Sequence, residues 1–182
     1  MKTRYEKGSF KTEARIGTSA SQKNMSNLIA EIHTHARRIE IDSLDWLTKG
    51  LAGKEEGRNL IEIEYVNSEF NRNTKIFDLF VNVRVGIFNR RFNNIKISML
   101  MNYENDLNGL PFISIKLNQP NFLLKEIEGT LSIDKTHFVI RTSVQFGWFF
   151  NLFISMSNYN AVAEWRIQTV LKNMKETVES RL

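Results

Sequence analysis

Between residues 60 and 146 apolar side chains return at every second position, segment after segment. A period of two is what strands require and helices cannot use. Phe77, Leu79, Val81, Val83 and Val85 fall on one side of such a strand, while Asp78, Asn82 and Arg84 fall on the other. That is the signature of an antiparallel sheet with one face covered and one in water. Strands are predicted at 60–66, 76–85, 95–101, 112–117, 127–133 and 138–146. An earlier one is predicted at 8–17, where Phe10, Thr12, Ala14 and Ile16 alternate with Lys11, Glu13 and Arg15. Asp134 to His137 has hairpin length, and Asn108 to Pro111 marks another reversal.

Two stretches change period. After Thr18, Ser19 and Ser21, whose hydroxyls suit an N-cap, Met25, Leu28, Ile29, Ile32, Ala36 and Ile39 recur every three or four residues. A second short helix carries Leu44, Trp46 and Leu47, capped by Asp42 or Ser43 and ended by Gly50 and Gly53. At the end of the chain Ala163, Ile167, Val170, Leu171, Met174 and Val178 form the stripe of a long helix running to Leu182. The expected fold is α+β, a mainly antiparallel sheet with helices on one face, in the order strand, two helices, a run of strands, one long helix. At 182 residues the chain supports one core, so a single domain over 1–182 is expected, with 1–8 a flexible basic arm.

The sequence contains no cysteine, which removes disulfides, thiolate catalysis and Cys-ligated metals. No apolar run approaches the roughly 20 residues needed to span a bilayer, and the N-terminus lacks a signal-peptide core, so a soluble, non-secreted protein is expected. The net charge of +5 is unevenly spread. Lys2, Arg4, Lys7, Lys11, Arg15 and Lys23 face only Glu6 and Glu13 before residue 25, and Arg84, Arg90, Arg91 and Lys96 have no acid among them between Asp78 and Glu104. Such clusters suit an acidic partner, whether nucleic acid, an anionic membrane or an acidic protein; they also suit a plain solvated surface.

Contiguous catalytic motifs are missing. His33 and His35 lie two apart on a helix and so point to different faces, which is poor placement for a shared metal. No serine sits in a Gly-x-Ser-x-Gly elbow, and Gly50, Gly53 and Gly57 fall between a helix end and a strand, the reverse of a phosphate loop. No cofactor is expected. Two surface features remain. Arg90 and Arg91, flanked by Phe88 and Phe92, are expected at a hairpin tip, where guanidinium forks grip phosphate or merely keep a turn wet. The run from Gly147 to Met156 includes Trp148, Phe149 and Phe150, and either lies under the last helix or offers a membrane or self-association patch.

Two families resemble parts of this pattern. Arg4-Tyr5-Glu6-Lys7 before a strand, a helical region with Trp46, Gly50-Leu51-Ala52-Gly53-Lys54 and Glu128-Gly129-Thr130-Leu131 resemble landmarks of the rhabdovirus matrix protein, in its compact plant-infecting type. That resemblance implies a non-enzymatic structural protein that self-associates and bridges a nucleocapsid or RNA to an anionic membrane, located in the virion and peripherally in host cytoplasm. Lys2, Arg4, Lys7, Lys11, Arg90 and Arg91 would be its contacts and Trp148, Phe149 and Phe150 its apolar patch. The order of elements, ending in a helix from Ala161 to Leu182, is also similar to START-like helix-grip domains. That resemblance implies a cavity for a lipid or small hydrophobic ligand. The matrix role is the leading expectation and the helix-grip role its alternative.

Overall fold

One antiparallel sheet of eight strands, in the order β1-β2-β8-β7-β6-β5-β4-β3, carries the helices on a single face. The elements are β1 (Lys2–Glu6), β2 (Ser9–Gly17), α1 (Gln22–Arg38), α2 (Asp45–Thr48), β3 (Ile61–Asn71), β4 (Ile76–Val85), β5 (Arg90–Asn105), β6 (Pro111–Leu117), β7 (Leu124–Asp134), β8 (His137–Phe146), α3 (Trp148–Asn151) and α4 (Met156–Glu179). The structure, a computed structural model, describes residues 1–38, 44–49, 61–71, 73–85, 90–152 and 154–181. The α+β expectation holds, including the order of its parts. The proposed caps Asp42 and Ser43 and the terminating Gly50 and Gly53 lie outside the described residues.

Three local features differ from the sequence reading. Lys2 to Glu6, read as part of a flexible arm, form β1 and pair with β2 from Lys2↔Glu13 to Glu6↔Ser9. The turn explains it: Lys7 and Gly8 both adopt positive φ, 50° and 84°, the two-residue geometry whose twist matches a hairpin. Arg90 and Arg91 are not at a tip either. They begin β5, opposite Val85 and Arg84, because Asn93-Asn94 forms a bulge and not a turn. Val81 pairs with Ile95 and Val83 with Phe92, so two residues oppose Asn82; Asn94 takes φ 56° and its N–H donates to Asn82 Oδ1 at 2.9 Å. The third difference is α3, a single turn where no period was legible. Gly147 makes room for it: its N–H bonds Leu123 O, and a Cβ there would stand 2.1 Å from Phe122 O.

The C-terminal half of α4 is clamped. Leu171, Met174 and Val178 are fully buried against Met25, Leu28 and Ile29 of α1 and against Ala14, Ile133 and Phe138 of the sheet. Burial of each such side chain is worth about 1.5–3 kcal/mol. Polar contacts then fix the register. Glu179 Oε1 accepts from Thr18 Oγ1 and from the Ser19 amide, each at 3.0 Å. These bonds hold its carboxyl below the ordinary carboxylate range, the Ser19 amide contributing most. Of the hydroxyls expected to cap α1, only Ser21 does so, accepting from the Asn24 amide. Arg181 grips both oxygens of Glu31 on α1. Asn173 Nδ2 donates to Leu47 O and Lys49 O, both at 2.9 Å, tying α2 to α4. On the far side of α1, His33 stacks on Tyr103 with ring centroids 4.8 Å apart.

Replacing Asn173 with Ala strands two carbonyls, and urea unfolding is expected to show a loss of about 2 kcal/mol. His33 supplies a second expectation. Desolvation, then Arg37 and Lys75, push its pKa below the usual 6.5, so the unfolded chain takes up a proton that the folded one resists. Stability therefore falls as pH drops through about 6.5, and His33→Phe should flatten that part of the slope between pH 7.5 and 5.5. An unchanged slope in thermal melts would contradict this account of the stack.

Candidate ligand-binding cleft

Two separate cores occupy the helix-facing side of the sheet. The first is the clamp just described. The second gathers Val81, Val83, Ile95, Ile97, Leu117, Leu123, Leu124 and Phe150 under α3. Between them the middle of the sheet is only half-covered. Ile140, Val144 and Phe146 of β8, Ile127 and Leu131 of β7, Ile115 of β6 and Met99 of β5 all face the helices, yet all are half-buried. Central strands under a long helix normally bury such residues completely. Here they pack on the margins of the two cores, Ile115, Leu131 and Ile140 against the first and Met99, Ile127, Val144 and Phe146 against the second. Along α4, Tyr159, Asn160, Ala163, Ile167 and Val170 are likewise half-buried, whereas Leu171, Met174 and Val178 are not.

These half-covered residues and the N-terminal half of α4 outline a candidate apolar cleft over the inner face of β8, β7 and β6. Its wall on one side is aromatic. Tyr159 stacks on Phe10 at 4.3 Å and meets Phe146 edge-on at 6.3 Å, while Phe10 meets Phe146 at 6.0 Å. Ser155 caps α4 by accepting from the Asn158 amide at 3.1 Å, which sets where the helix begins over the cleft. On the floor, Gly129 stands where any Cβ would come within 2.9 Å of Ile115 Cγ1, so Ile115 lies across a bare backbone. Two buried polar atoms in this region have no hydrogen-bond partner, Thr142 Oγ1 on β8 and Asn160 Oδ1 on α4.

The residues singled out in the sequence lie elsewhere. Lys2, Arg4 and Lys11 line an open groove on the opposite, outer face of β1, β2, β8 and β7, together with Glu13, Glu128 and Arg141. The charges there neutralise one another: Arg4 and Lys11 share Glu6, at 3.3 and 3.4 Å, and Arg15 and Arg141 share Glu13. Hydrogen bonds from Arg141 and then Arg15 hold the Glu13 carboxyl below its ordinary range. Lys7 sits at the β1–β2 turn. Arg91 bonds Glu64 at 2.6 Å across β4, and Arg90 is exposed at the start of β5. Phe88 and the side chain of Phe149 lie outside the described residues. The expected apolar patch divides, since Trp148 is 80% exposed and Phe150 is 0% exposed, the latter packed near Phe92 and Phe122. Helical alternation explains this, because positions 148 and 150 fall on opposite sides of one turn. The cleft residues were missed because they are scattered over five elements, and half-burial leaves no mark on a sequence.

No family model matches the sequence, and no curated protein does. Solved structures do match in fold. The di-domain aromatase/cyclase BexL from the BE-7585A biosynthetic pathway superposes with a TM-score of 0.53 at 9% identity, over 94% of this chain and 50% of its own. The di-domain aromatase/cyclase StfQ from the steffimycin pathway gives 0.53 at 11%, over 95% and 52%. XoxI from Bacillus cereus gives 0.51 at 12%, over 92% and 94%. The chain thus spans about half the length of the two di-domain proteins.

This likeness is one of fold, and it agrees with the helix-grip order of elements. It corrects the leading expectation. The stretches that carried the matrix resemblance are plain parts of the sheet: Arg4-Tyr5-Glu6 belong to a hairpin strand, and Glu128 to Leu131 to a central strand. The virion role implied by the matrix resemblance has no support in this likeness, which agrees better with the alternative reading. The expectation of a non-enzymatic protein is overturned as well, since aromatase/cyclases have this fold. A site assembled from alternate residues of separate strands leaves no contiguous motif, so the missing motifs excluded nothing. Among the described residues no helix is long and apolar enough to cross a membrane.

If the centre of the sheet is a cleft, enlarging its lining should be tolerated. Val144→Phe is expected to change stability by less than about 0.5 kcal/mol in urea unfolding, whereas overpacking a filled core costs about 1–3 kcal/mol.

Proposed function

We propose that this protein binds a small hydrophobic, ring-bearing molecule in the cleft between α4 and the sheet. The observation that carries the reading is the row of half-buried Ile115, Ile127, Leu131, Ile140 and Val144 at the centre of an otherwise well-covered face. Covering about 300 Å² of such wall at about 25 cal/mol per Å² contributes roughly 7.5 kcal/mol before the costs of association. Micromolar affinity corresponds to about 8 kcal/mol, so an apolar occupant is held on the right scale once it also packs against the aromatic wall. Phe10, Phe146 and Tyr159 favour a flat ring, which stacks or meets them edge-on.

A second reading, that the bound molecule is also transformed, is favoured by the aromatase/cyclase neighbours. In it the cleft would hold a flexible substrate in the folded shape that ring closure needs, an effect of proximity and orientation. The fold alone does not carry such an activity across, so binding is the first thing to test.

The uncharged fluorescent probe N-phenyl-1-naphthylamine should bind saturably, one molecule per chain, with an affinity that changes little with salt. Val144→Phe should weaken it at least about fivefold while the fold survives. Fluorescence that rises without saturation, or is untouched by that substitution, would refute the reading.

A further inference from the structure

The two unpartnered oxygens give the cleft a polarity that apolar burial alone does not explain. Buried polar atoms in folded proteins are nearly always hydrogen-bonded, and leaving one unpaired costs about 1–3 kcal/mol. Among the described residues three buried side-chain atoms lack a partner. One, Trp46 Nε1, sits beside the clamped core; the other two belong to residues that face the cleft.

Thr142 lies between Thr12 and Gly129 on the helix-facing side of β8. Thr12, its neighbour, is satisfied by Thr3 Oγ1 at 3.1 Å, and Gly129 offers no side chain at all. Asn160 follows Tyr159, which stacks on Phe10; Phe10 in turn pairs with Val144, two residues along β8 from Thr142. Asn160 also shares a helix face with Ala163 and Ile167, at spacings of three and seven. Both groups therefore stand at the aromatic end of the cleft, one on its floor and one on its roof. Both oxygens are buried and without a partner. Neither oxygen has a hydrogen bond to lose by turning toward a bound molecule.

We infer that Thr142 and Asn160 are specificity-determining residues that hydrogen-bond a hydroxyl of the bound molecule, so that the cleft selects hydroxylated ring compounds over hydrocarbons of the same shape. This rests on the cleft being a ligand site. The amide oxygen of Asn160 accepts and the threonine hydroxyl donates or accepts, and one phenolic or alcoholic group satisfies both roles. A site with polar groups of this kind rejects the analogue that cannot pair with them, whereas a purely apolar pocket barely distinguishes the two.

The test is competition against N-phenyl-1-naphthylamine by 2-naphthol and by naphthalene, on the full chain. The wild-type protein is expected to bind 2-naphthol about tenfold more tightly than naphthalene. Thr142→Val and Asn160→Leu should each reduce that preference several-fold while leaving naphthalene affinity within about twofold, and Thr142→Ser should restore it. Stability provides an independent readout, because removing an unpaired buried hydroxyl should leave the melting temperature of Thr142→Val unchanged or higher. A melting temperature that falls would mean that the hydroxyl already serves the fold, and would overturn the assignment. Equal displacement by both competitors would overturn it too, while leaving the binding reading intact. Failure of the fluorescent probe to bind saturably would instead bring down the binding reading and this inference together.

Discussion

Everything in this molecule hangs on an uneven grip. The last three turns of α4 are locked to the sheet and to α1 by Leu171, Met174 and Val178, and by the polar contacts of Asn173, Glu179 and Arg181. The first turns carry Tyr159, Asn160 and Ala163, which touch the sheet only in part. A helix is stiff along its length, so fixing one end sets the distance of the other from the strands below. The partial cover over the inner face of β8, β7 and β6 is then a property of the clamp, not of the residues that lie under it.

The same division explains how two cores coexist on one face. α1 and the end of α4 cover the strand ends near Ala14, Ile133 and Phe138, while α3 and the segment around Leu123 cover those near Val83 and Leu117. Each cap touches the middle strands only at its margin, and Ile115, Leu131, Ile140 and Val144 stay half-buried. A single helix laid flat along the sheet would have joined the two.

Much of the fold was legible in the sequence. The period of two placed 76–85 with its observed ends, and the three- and four-residue spacing of Met25, Leu28, Ile29 and Ile32 named the buried stripe of α1. What failed was local punctuation. Asn93-Asn94 has the composition of a turn and is a bulge, because Asn82 reaches across to satisfy the backbone of Asn94, a contact no local pattern reveals. The charge clusters drew attention to the outer face, where Arg4, Lys11, Arg15 and Arg141 turn out to be occupied by Glu6 and Glu13 from neighbouring positions. Pairing across strands hid that neutralisation from a linear count. The cleft was invisible for the opposite reason: Ile140 half-covered and Ile140 fully covered are written with the same letter.

The short hairpin at the start of the chain also changes what the sheet shows to its surroundings. By pairing with β2, β1 makes an inner strand of one that would otherwise end the sheet beside the aromatic wall. The row of unsatisfied amides and carbonyls is passed outward to five residues, two of them Lys2 and Arg4. Long charged side chains on so brief a border resist the docking of a foreign strand. Viewed in that light, β1 acts as a short charged selvedge that closes the sheet on this side.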